Sequence, residues 1–189
     1  MGGMKRNRLA RALVLAGFLA SIVSAPGDAD AKAKKEAKRR PSTPEERTAG
    51  AQAARQLELD PLGPGADARH EAAMVVLNAP DIQVPVCANV LASFVDEKTA
   101  HHDVLLQQML FSTMAFMVEQ PARASDVQAD FLAGILGALK AYAKVRESDP
   151  AARSPFLERM LDLQKRGELE AFYKKETTPC VAAAKAAMK

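Results

Sequence analysis

No stretch of this 189-residue chain alternates apolar and polar residues cleanly. A half-buried strand needs that period of two, so a sheet has nothing to be built from. The sequence also lacks G-x-S-x-G, a phosphate-binding loop and a Gly-rich nucleotide fingerprint. Hydrolases with a nucleophile elbow, P-loop enzymes and dinucleotide-dependent oxidoreductases therefore find no support. Only three histidines and two cysteines are present, so a site built from imidazole or thiolate has few ligands to draw on.

His70-Glu71 starts as H-E-x-x-H does, but Met74 stands where the second His belongs, which removes a zinc-protease reading. His101-His102-Asp103 invites a metal, with Glu97 four residues before His101. Adjacent helical residues point about 100° apart, so His101 and His102 do not easily share one ion. Two ligands are too few for zinc. Met109, Met114 and Met117, with Met74, offer soft thioethers for a metal such as copper, but Met on an apolar helix is usually core filler. A cysteine nucleophile would need one of the three histidines beside it. The carboxylates fall mostly at helix caps and on wet faces, with no pair set in apolar surroundings to tune it. No catalytic, cofactor-binding or metal residues are assigned, and no cofactor is expected.

What is present begins at the N-terminus. Lys5, Arg6, Arg8 and Arg11 precede an apolar run from Ala12 to Val23. That run is short of the roughly 20 residues of a membrane span and suits the h-region of a secretory signal peptide. Val23-Ser24-Ala25 is followed by Pro26, a poor fit just after a cut, so cleavage is expected after Ala31 in Ala29-Asp30-Ala31. No Cys follows the run for a lipid anchor, and Arg8 and Arg11 are not adjacent as a twin-arginine signal needs. The competing readings are an uncleaved N-terminal anchor and a chance apolar run on a cytoplasmic protein. The basic residues soon after the run favour these, since positive charge there resists translocation. The chain is read as residues 1–31 signal peptide, 32–42 disordered basic linker and 43–189 helical domain, exported to the periplasm or beyond the cell.

Charge divides along the same boundary. Residues 32–40 hold six basic groups and one acid, +5, while residues 41–189 hold 16 basic and 20 acidic groups, −4. A nucleic-acid-binding domain should carry a basic face on the fold itself, so no nucleic-acid partner is expected. The +5 segment is a solvated spacer or a weak electrostatic contact with anionic envelope surfaces. In an oxidising compartment an even pair of cysteines usually bridges, and Cys87–Cys180 is the expected disulfide. Two separate buried thiols are the alternative.

Start and stop signals then divide the body into helices. Thr43-Pro44-Glu45-Glu46 is a capping box with Pro at the first helical position. It opens a helix to about Leu59, broken by Asp60-Pro61-Leu62-Gly63. A second helix is expected over Ala66–Leu77. A third should run from Pro85 to about Val95, with Val86, Val90, Leu91 and Phe94 inside. The fourth, about Ala100 to Glu119, is apolar nearly all round, with Gln107, Gln108, Ser112 and Thr113 its chief polar positions. A helix without a wet face is surrounded by others, so it is expected at the centre. The fifth, opened by a capping box at Ser125-Asp126-Val127-Gln128, carries a small-residue strip of Gly134, Gly137, Ala138 and Ala141 for close approach of a neighbour. A sixth is expected from Pro155 to about Arg166, with Gly167 as a left-handed stop. A seventh should cover Glu168–Lys175, and Pro179 should start a last helix carrying Cys180.

Ala138, Tyr142 and Pro150, with Gly167, Leu169, Ala171 and Phe172, loosely resemble parts of a tetratricopeptide repeat. The spacing does not complete a period of about 34 residues, and no second copy lies upstream. The resemblance implies only that stacked helical hairpins are one way to arrange these helices. The expected fold is an all-α antiparallel bundle of about six to eight helices. The expected role is non-enzymatic: binding an unknown protein partner or supporting an envelope structure. The alternative is a periplasmic ligand- or metal-binding module using Met and His side chains, with an enzyme the least favoured reading.

Overall fold

Local signals govern most helix ends in the computed structural model, which describes residues 40–94, 99–123 and 126–187. The expected export signal, residues 32–39 of the expected linker, Glu97 and Ser125 lie outside the described residues. Among those residues there are seven α-helices and no strand: α1 Pro44–Leu59, α2 Ala66–Leu77, α3 Ala88–Phe94, α4 His102–Glu119, α5 Val127–Ser148, α6 Pro155–Lys165 and α7 Leu169–Ala187. The fold is the expected all-α bundle. None of these helices is long and apolar enough to cross a membrane.

The Thr43 hydroxyl accepts from the Glu46 N–H while the Glu46 carboxylate accepts from the Thr43 N–H, completing the capping box. Gly167 closes α6 at φ 73°. The Glu168 N–H reaches Leu163 O and the Gly167 N–H reaches Gln164 O, the paired bonds that satisfy a helix's last carbonyls around a left-handed residue. Arg40, at the end of the expected linker, pairs with Glu46. Ser42 is buried, its N–H and hydroxyl both donating to Asp81. The helical body therefore begins slightly before residue 43.

Four local expectations are corrected. α3 starts at Ala88 instead of Pro85, which leaves Val86 outside the helix and 53% exposed. α4 starts at His102, because His101 sits at φ 62° and a left-handed residue cannot continue a right-handed helix. α5 is capped by Asp126, whose carboxylate accepts from the Ala129 N–H. The two expected C-terminal helices are one, with Pro179 inside α7. Proline removes one N–H bond and crowds the carbonyl four residues back. The turn before it is reinforced by Thr177 and Thr178, whose hydroxyls donate to the carbonyls of Tyr173 and Lys174.

α4 is the central element, packed against α1, α2, α3 and α5. It belongs to two apolar clusters. One, with Phe111 and Met114 of α4, includes Ala54 of α1 and Val76 of α2. The other joins Leu105 of α4 to Ile135, Leu139 and Tyr142 of α5 and to Met160 and Tyr173 beyond. The small strip on α5 lets α4 approach closely. A Cβ at Gly137 would lie 1.9 Å from Ser112 Oγ, and one at Gly134 would lie 2.4 Å from Thr113 Oγ1. Cys87, just before α3, is joined to Cys180 of α7 by a disulfide across 93 residues, with Cα atoms 5.5 Å apart.

Candidate functional site

Three polar positions of α4 face inward instead of marking a wet face: Gln108, Ser112 and Thr113 are all buried. Gln108 and Ser112, one turn apart, meet α1. The Gln108 amide donates to Ala54 O and to Ser112 Oγ, and the Ser112 hydroxyl donates to Glu58 Oε1 at 2.9 Å. Glu58 is only 2% exposed. It also accepts from Arg55 Nη1 at 2.5 Å and from Lys140 Nζ of α5 at 2.9 Å. Arg55 reaches on to Glu119 at the end of α4. One carboxylate thus joins α1, α4 and α5.

Glu58 lies in the last turn of α1, where unpaired carbonyls disfavour an anion. Burial pushes its carboxyl up, yet the hydrogen bonds from Lys140, Ser112 and Arg55 and the charge of Arg55 outweigh burial and hold it below its ordinary range.

Arg55 and Lys140 also face an open groove of about 390 Å³. Its floor is a stripe of α5: Ala129, Leu132, Ala133 and Leu136. Lys174 and Glu170 of α7 stand on its lining, as does Phe116 of α4. Near the start of α5 lie Asp126 and Arg123, whose guanidinium sits 5.3 Å from the Phe116 ring centroid. Asp126 is held below its ordinary range by the Ala129 N–H and by Arg123. One turn on, Asp130 is buried and its Oδ1 has no hydrogen-bond partner among the described residues. Burial first, and the Asp126 charge second, push Asp130 up to about 7.

The residues singled out in the sequence are dispersed. Cys87 and Cys180 are consumed by their bridge, so neither is a free thiolate. His70 packs edge-on against Phe111 with centroids 5.1 Å apart, while His101 Nε2 faces Asp149 at 3.2 Å. Met109 and Met114 sit in different apolar clusters. Among the described residues no group of three or more His, Cys, Asp or Glu side chains could hold a metal ion. Sequence reasoning missed the Glu58 centre. Its signal was Glu58 standing four residues after Ala54 on the buried stripe of α1. Comparison with protein-family models, curated proteins and solved structures gives no match.

Proposed function

We propose that this chain is an exported, non-enzymatic binding module of the cell envelope, acting through a protein partner. The groove beside α5 carries the reading. Its volume of about 390 Å³ falls within the roughly 300–1,000 Å³ of binding pockets. Its polar groups are mostly engaged in ion pairs that rigidify the body. Export is supported by the tripartite N-terminus, and the Cys87–Cys180 bridge suits an oxidising compartment. The basic residues 32–40 would add a weak hold on anionic envelope surfaces, up to about 1 kcal/mol per charge.

Cell fractionation combined with cross-linking in intact cells tests this reading. Recovery outside the cytoplasm, with a discrete cross-linked species containing a second polypeptide, is the expected result. Recovery in the cytoplasm would refute export. Stoichiometric metal found by mass spectrometry of the native protein would favour a metal-binding role instead. The separation of Met109 from Met114 speaks against one ion shared by these thioethers.

A further inference from the structure

We infer that the Cys87–Cys180 bridge is a redox latch: closed, it holds α3 on α7, and its reduction by a dithiol releases α3 and uncovers the apolar face beneath. This does not rest on the binding-module reading. α3 has only seven residues, and a helix of that length is not stable by itself in water. Among the described residues no hydrogen bond or ion pair ties it to another helix, and its one side-chain bond, from Ser93 Oγ to Asn89 O, lies within it. Most of its neighbours are tied. Glu58 joins α1 to α4 and α5, Arg146 pairs with Glu158 between α5 and α6, and Thr177 of α7 donates to Gln128 of α5. What holds α3 is the bridge and the burial of Val90 and Phe94, with the Phe94 ring edge-on to Phe156 of α6 at 5.4 Å between centroids. Two apolar anchors set against the ordering of seven residues leave little margin.

The bridge grips α3 at its first turn. Cys87 O accepts from the N–H groups of both Val90 and Leu91, so Cys87 and α3 move together. The packing beneath α3 is incomplete. A cavity of about 50 Å³ lies between Val90 and Ser93 of α3 and the rings of Phe156, Phe172 and Tyr173. A second, of about 10 Å³, is lined by Cys87, Val90 and Tyr173 among others. The Tyr173 hydroxyl is buried and has no hydrogen-bond partner among the described residues, and opening gives it water to pair with. The closed form therefore depends on the bridge. The bridge is open to attack from one side, since Cys180 is only partly buried whereas Cys87 is 2% exposed. A thiolate of the dithiol attacks Cys180 Sγ, the S–S bond breaks, and Cys87 leaves as a thiolate that takes a proton from water as α3 lifts. The second thiol of the reagent then displaces Cys180 from the mixed disulfide. The bridge gains two electrons and two protons, and the dithiol becomes a disulfide.

Hydrogen exchange followed by mass spectrometry, on the native protein before and after treatment with dithiothreitol, tests the latch. Reduction should speed exchange of the α3 amides about tenfold or more, while peptides from α1, α4 and α5 stay protected over the same interval. Reoxidation should restore slow exchange in α3. The double variant Cys87→Ser with Cys180→Ser should match the reduced form and bind more of a hydrophobic dye than the bridged parent does. Loss of protection in all helices together would overturn the inference, because the bridge would then be a staple of the whole fold. Unchanged α3 exchange in the reduced protein would overturn it too, as would a bridge that dithiothreitol opens only after denaturant has unfolded the chain.

Discussion

Glu58 and Asp130 are two buried carboxylates in opposite states. Glu58 has three donors and is held ionised. Asp130 has an oxygen with no partner among the described residues and is pushed up to about 7. Glu58→Gln should lower stability by about 1.5–3 kcal/mol at pH 7, the range for hydrogen bonds to a charged group, measured by urea unfolding. A depressed carboxyl stabilises the fold above its unfolded value, near 4.5, and that stabilisation is lost as pH falls through the lower folded value. The gap between parent and variant should therefore close in acid. Asp130 works the other way. Between about 3.8 and about 7 the folded state keeps a proton that the unfolded state has released. Its contribution should fall as pH rises through that window and level off above it. Asp130→Asn should remove that slope and, at pH 8, raise stability by about 1–3 kcal/mol by relieving an unsatisfied buried charge. A parallel pair of stability-versus-pH curves would contradict this. Neither role was legible in the sequence. Glu58 reads as one more polar residue near a helix end until α4 and α5, far along the chain, close over it.

At the scale of elements, what was legible was what is local. The Thr43 box, the Pro155 start and the Gly167 stop act within a turn of themselves, so sequence alone located them. The α4–α5 contact was legible as a small-residue strip, and its tightness sets a prediction. Alanine is favoured over glycine in a helix by about 1 kcal/mol, whereas overpacking a close contact costs about 1–3 kcal/mol. At Gly137 the new methyl would meet both Oγ and Cβ of Ser112 and approach Glu58 Oε1 to 2.7 Å. Crowding should win, and Gly137→Ala should lower the thermal midpoint. In the sequence Pro179 suits a helix start, the position proline favours. Tertiary ties overrode this: Thr177 is buried, and Cys180 is held to Cys87 one residue beyond the proline. Pro179→Ala restores a backbone donor inside α7. It should raise stability by up to about 3 kcal/mol, seen as a higher urea midpoint with an unchanged slope.

Across the whole molecule, the central α4 serves two apolar clusters, and the disulfide ties the segment before α3 to the final helix. A bridge spanning 93 residues should contribute about 4–5 kcal/mol in the chain-entropy account. Cys87→Ser with Cys180→Ser should lose a stabilisation of that order in chemical denaturation. The bundle class was legible from periodicity and from the lack of alternating segments. The groove was not, because it is made by side chains of α1, α4, α5 and α7 that only packing assembles. We propose that this bundle is an exported, disulfide-closed binding module, and the intact mass of the protein recovered from each cell fraction decides the matter. The expected species lies outside the cytoplasm, starts at Lys32 and lacks the two thiol hydrogens of Cys87 and Cys180. A cytoplasmic species that retains residues 1–31 and whose two cysteines both take an alkylating reagent without reduction would contradict it.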